Sequence, residues 1–166
     1  MLRFAYEELP NGENAEAVLL DLLREYRASD PSIDFRLARA GDVFLVIPRT
    51  SRNARGVHEE RTPLPDTKIS IPGKERTVDE MLTEILAAVR AKVGGRLDPP
   101  GWAWNLFIQT RVVGGADNES AHTVLLRTLH ATRRPVVWAL LCSPTGSYVP
   151  GCTLNCRVVD RPSVAR

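Results

Sequence analysis

The apolar spacing of this 166-residue chain predicts an α+β protein made of two helix-plus-hairpin modules, with helices packed on small mixed sheets. Three observations carry that expectation. Apolar residues recur at helical period in two long stretches, residues 15 to 26 and 78 to 89. Short alternating or continuously apolar runs follow helical stretches at 33 to 47 and 136 to 159. Pro and Gly punctuate the chain between them.

Residues 2 to 6 alternate as a short half-buried strand would, and Pro10, Asn11 and Gly12 break the run. From Asn14 the period becomes helical. Ala15, Val18, Leu19, Leu22, Leu23 and Tyr26 share a face, Glu16 sits in the first turn, and Arg24 and Arg27 sit in the last, which suits the helix dipole. Pro31 ends the helix. Ile33, Phe35 and Leu37 then alternate with Asp34 and Arg36, a turn follows at 39 to 42, and residues 43 to 47 complete a hairpin closed by Pro48. Residues 1 to 48 thus form a β-α-β-β module.

Residues 49 to 67 lack periodicity and are read as a linker or exposed loop. Residues 68 to 160 form a β-α-β-α-β-β module, and 161 to 166 a tail. In it, Ile69 and Ile71 mark a strand that Pro72 and Gly73 end. Thr77 and Glu80 have capping-box spacing and open a helix burying Val78, Met81, Leu82, Ile85, Leu86, Val89 and Val93. Gly94 and Gly95 stop it. Aromatic and β-branched residues from 102 to 113 predict a strand ended by Gly114 and Gly115. Asn118 or Ser120 caps a third helix that turns Ala121, Val124, Leu125 and Leu129 inward and cannot pass Pro135. Strands at 136 to 142 and 148 to 159 close the chain, the second broken by Pro150 and Gly151.

The residues Lys68, Ile69, Ser70 and Ile71, the helix start from Thr77 to Leu82, the Ala121, Val124, Leu125, Leu126 and Leu129 spacing, and Pro135, Val136, Val137, Trp138 and Tyr148 together carry a resemblance. Residues 67 to 159 resemble the short N-terminal domain of secretins and TonB-dependent receptors. The stretch from Lys92 to Trp104 is longer and richer in Gly and Pro than that family's connection. Neither a receptor barrel nor a secretin pore follows, so the resemblance implies a binding or docking module of the bacterial cell envelope, not a transporter or channel.

Composition narrows the function classes. The longest apolar run, 136 to 142, is far short of the roughly 20 residues of a membrane-spanning helix. Net charge is +2, with residues 1 to 66 at −3 and 67 to 166 at +5, too mild a contrast to require nucleic acid. Acidic Glu7 and Glu8 stand where a secretory leader would be apolar. The location is therefore periplasmic if a leader has been removed and otherwise cytoplasmic.

No catalytic, metal or cofactor motif is present. His122 and His130 are about two turns apart, too far to share one ion, and with His58 they are read as solvated. Cys142, Cys152 and Cys156 allow one disulfide plus a free thiol, and a Cys-His hydrolase or transferase built only by the fold is a competing reading. Another is anion or nucleic-acid binding through Arg49, Arg52 and Arg55, which lack interleaved aromatics. The reading that leads is a non-enzymatic protein-binding module whose partner engages sheet edges or Trp102 and Trp104, placed on one face of a strand.

Overall fold

The computed structural model describes residues 15–31, 34–40, 43–52, 57–60, 62–99, 104–143 and 151–158. The strand expected at 2 to 6 lies outside them. The fold is α+β.

Helix α1 (Ala15–Ser29) precedes the antiparallel hairpin β1 (Phe35–Ala40) and β2 (Val43–Pro48). It touches β1 mainly at its end, where the Tyr26 and Phe35 rings lie 5.8 Å apart, and Asp34 there pairs with Arg27 at 3.6 Å and Arg49 at 3.8 Å. Strand alternation sets what β2 buries: Leu45 and Ile47 point inward and Val46 outward. Residues 49 to 67 hold a second hairpin, β3 (Thr50–Arg52) with β4 (His58–Glu60), and a 3₁₀ turn at Leu64–Asp66.

The remaining chain builds the main core. Strands β5 (Lys68–Thr77) and β7 (Arg111–Ser120) pair antiparallel, and helices α2 (Val78–Val93) and α4 (Ala121–His130) leave their ends. The short β6 (Arg96–Asp98) runs parallel to β9 (Gly151–Val158), which is antiparallel to β8 (Val136–Ser143), giving the order β6-β9-β8. Between these layers lie Ile69, Ile71, Val78, Leu82, Ile85, Val124, Leu125, Phe107, Leu154 and Cys156. Burying each large side chain contributes roughly 1.5–3 kcal/mol.

Local chemistry explains the helix ends. Thr77 Oγ1 accepts from the Glu80 N–H at 3.1 Å while the Glu80 carboxylate accepts from the Thr77 N–H at 2.7 Å, the reciprocal capping box its spacing predicts. The Thr77 backbone bond first, and then its hydroxyl, hold the Glu80 carboxyl below its ordinary pKa. Gly94, at φ 73°, closes α2.

Three expectations are corrected. Pro72 and Gly73 do not end the strand: β5 continues through an irregular register, because Gly115 on β7 lets the two backbones meet there. A Cβ at Gly115 would lie 2.3 Å from the Ile71 carbonyl oxygen. Residues 102 to 113 are not one strand. Residues 104 to 109 form helix α3 (Trp104–Gln109), which buries Phe107, while β7 begins at Arg111 and runs past Gly114 and Gly115 to Ser120. Thr110 closes α3 by donating its N–H and its hydroxyl to the Leu106 carbonyl. Val93 is exposed, since it follows the last turn of α2 that the core covers.

Helix α4 is buried on two sides. Ala121, Val124, Leu125 and Leu129 face the main core that α2 shares, as their spacing predicts, and Leu126 packs against Leu45 and Ile47 of β2. That contact, with Trp138 beside it, joins the first hairpin to the rest.

Candidate protein-binding edge and polar clusters

Strand β8 is the outer strand of its sheet among the described residues. Its eight residues, Val136 to Ser143, include no charge and no proline, and Pro135 stands just before it. The pleat sends Trp138 and Leu140 toward the core and Val137, Ala139 and Leu141 to the outer face. Val137 is 54% and Leu141 57% exposed. A long, uncharged outer strand displays unpaired N–H and C=O groups that a further strand satisfies.

Its far end is tied by a disulfide between Cys142 and Cys152, which face each other across β8 and β9 with Cα atoms 4.0 Å apart. Cys156 is free, fully buried, and opposite Trp138. Burial pushes its thiol up to about 12, so it stays a neutral, poorly nucleophilic thiol near neutral pH. With two cysteines bridged and the third protonated, none supplies a thiolate.

A polar cluster that sequence reasoning missed sits where the 3₁₀ turn meets the start of α4. His122 is half-buried there, not solvated: its Nδ1 lies 3.1 Å from the Pro65 carbonyl oxygen and 3.4 Å from Asp66 Oδ1. Both neighbours accept, which places the ring proton on Nδ1. Nε2 is 3.4 Å from Ser120 Oγ, and that hydroxyl is closer, at 2.7 Å, to Thr123 Oγ1. Asp66 also pairs with Arg36 of β1.

Carboxylate, imidazole and hydroxyl in this order have the outline of a hydrolytic triad, but two features argue for a clasp. Ser120 is nine-tenths buried and engaged with Thr123. The cavity touching His122 is only about 40 Å³ and is walled by Leu64, Ile85, Leu125, Trp138 and Leu140. Such a space is far smaller than ligand pockets, which begin near 300 Å³. The cluster therefore ties β1, the 3₁₀ turn and α4 together. Its signal in the sequence was slight, since Asp66 and His122 are 56 residues apart.

A shallow groove of about 390 Å³ runs between α2 and β6, past Thr83, Ala87, Arg90, Ala91, Leu97 and Pro99. It offers one charged group and no converging polar set.

The other sequence-predicted residues are not brought together. Trp104 opens α3 and Trp102 lies outside the described residues, so the two do not share the face of a strand. Arg49 pairs with Asp34, Arg52 ends β3, and Arg55 lies outside the described residues. Among the described residues no group of three His, Cys, Asp or Glu is placed to hold a metal, and no helix is long and apolar enough to cross a membrane. Comparison with protein-family models, curated proteins and solved structures finds no match.

Proposed function

We propose that this chain is a non-enzymatic protein-binding or assembly module of the bacterial cell envelope, and that it receives an extended segment of its partner along the outer edge of β8. The observation that carries this reading is the uncharged eight-residue edge strand with Val137 and Leu141 exposed. Main-chain hydrogen bonds would supply affinity, and the outer-face apolar side chains selectivity. The envelope assignment draws support from the Cys142–Cys152 bridge, because disulfides persist in oxidising compartments. It also draws on the resemblance of residues 67 to 159 to the secretin and TonB short domain.

Hydrogen exchange tests the edge directly. A soluble octapeptide alternating valine and threonine serves as the probe. Its addition is expected to slow exchange at the Trp138 and Leu140 amides by about tenfold or more, while the amides of Val137 and Ala139 change little. Amides at 138 and 140 that are already protected in the isolated monomer, or that ignore the peptide at saturating concentration, would sink the reading.

A further inference from the structure

Backbone geometry says which groups of β8 face outward. Directly opposed residues in an antiparallel pair alternate between hydrogen-bonded pairs, with Cα atoms about 5.5 Å apart, and non-hydrogen-bonded pairs at about 4.5 Å. Cys142 and Cys152 are opposed with Cα atoms 4.0 Å apart, which identifies a non-hydrogen-bonded pair. By alternation, Leu140, Trp138 and Val136 occupy the same kind of position, opposite Leu154, Cys156 and Val158. The N–H and C=O groups of these even-numbered residues therefore point away from β9, toward the side on which no described strand pairs with β8. Those of Val137, Ala139 and Leu141 are spent on β9.

We infer that a second copy of this chain fills the edge, its β8 antiparallel to the first in the register that sets Ala139 against Ala139 of the other copy. The inference rests on the edge-binding reading above and names its partner. In that register Trp138 faces Leu140 and Val136 faces Cys142 of the mate, so outward-pointing backbone groups meet outward-pointing groups. Val137 faces Leu141 of the mate, twice over, covering both exposed large side chains of each strand. Shifting the register by one same-face step either way breaks this: Leu141 would face Pro135 and Val137 would face Ala139, or Val137 would face Ser143 and Leu141 would face Ala139, so neither shift sets the two large exposed side chains against each other. Residue 139, at the axis, is small, as a close non-hydrogen-bonded pair favours.

Charge agrees with self-pairing. An edge strand carrying a charge would set that charge near its own copy or against an apolar residue, and β8 has none. The nearest charge on the outer face, Arg157 on β9, lies beside Val137, so the two copies of Arg157 fall at opposite corners of the joined sheet. The product is a six-stranded sheet in the order β6-β9-β8-β8-β9-β6, with a closed two-fold axis.

The test uses the full oxidised chain in sedimentation equilibrium. A concentration-dependent species of twice the 18.4 kDa chain mass is expected. Val137→Lys and Leu141→Glu each act at two symmetry-related places and should weaken dimerisation roughly 30-fold. An equimolar mixture of the two variants should recover dimer, because one copy's introduced amine then faces the other's introduced carboxylate. Ala139→Cys should cross-link to itself under oxidation. Positions 137, 139 and 141 are exposed in the single chain, so these variants should keep the wild-type circular dichroism. A monomer at every concentration, with fast exchange at Trp138 and Leu140, overturns the self-pairing and leaves the edge reading standing. A monomer with those amides already protected overturns both. A dimer indifferent to all three substitutions places the interface elsewhere and also overturns the inference.

Discussion

Helix α2 turns six side chains into the core, whereas helix α1, one residue shorter and just as clearly two-faced in sequence, turns in none. The difference lies in what each helix has to lie against. Two strands, two other helices and a second sheet surround α2, while α1 meets a two-stranded hairpin whose inward side chains, Leu45 and Ile47, are already committed to Leu126 on α4. An amphipathic stripe records that a helix wants a partner; how deeply it buries depends on how much apolar surface the rest of the chain supplies. The chain from 68 to 158 therefore has a core of its own, and residues 15 to 60 rest on it through a thin seam.

The largest effect is expected inside the stronger region. Arg76 is 2% exposed, and its guanidinium is held by Glu84, the Pro72 carbonyl oxygen and, at 3.6 Å, the Met81 sulfur. Glu84 also takes Lys74 at 3.1 Å. This pairing spans the irregular part of β5, so it fixes the strand that Pro72 and Gly73 would otherwise interrupt. Glu84→Ala leaves a buried cation without its counter-charge and should cost about 3–5 kcal/mol in urea unfolding. Glu84→Gln, which keeps an acceptor, should cost less. Equal losses for the two would mean that the charge contributes little.

Next in size is the seam. Ile47→Ala removes one of the two side chains buried among the described residues of the first hairpin and should cost about 2–4 kcal/mol, but locally. Exchange at β1 and β2 amides should accelerate while β5 and β7 amides keep their wild-type rates. Leu82→Ala in α2 should instead accelerate exchange throughout. If Ile47→Ala also speeds β5 and β7, the two regions unfold as one and the seam is thicker than its residues suggest.

The same contrast accounts for what the sequence made legible. Helices α2 and α4 stood out because their apolar spacing, the Thr77 and Glu80 pair and Pro135 all agree. The β1 and β2 hairpin was equally plain from its alternation. The α3 stretch reads as a strand because Trp104, Phe107 and Ile108 have high strand propensity, whereas burial of Phe107 in the core favours the short helix. Strand β6 has no signature in the sequence, since three residues, Arg96, Leu97 and Asp98, carry no period, and it takes its form by pairing with β9. Of the candidate edge, the apolar run at 136 to 142 is visible in the sequence, but not that it lies outermost in its sheet among the described residues. That is a property of strand order, and strand order comes from contacts between residues distant in the chain.

The last effect, confined to alkaline pH, distinguishes the two regions by titration. Cys156 lies on β9 within the main core, with a folded-state pKa raised from 9.0 to about 12 by burial. Between those values the folded chain keeps a proton that the unfolded chain has released, so stability falls as pH rises above about 9 and levels off once both states are ionised. The slope from this one group is about 1.4 kcal/mol per pH unit. Below pH 9 it contributes no pH dependence. Cys156→Ala should remove this component of the alkaline slope while lowering stability at neutral pH through the lost packing. The Cys142–Cys152 bridge does not titrate and should not mimic it. Exchange of β1 and β2 amides should show the component only where opening of the hairpin requires opening of the core. If local opening of β1 and β2 has the same Cys156-dependent slope as global unfolding, the first hairpin has no independent life and the boundary drawn at the seam is wrong.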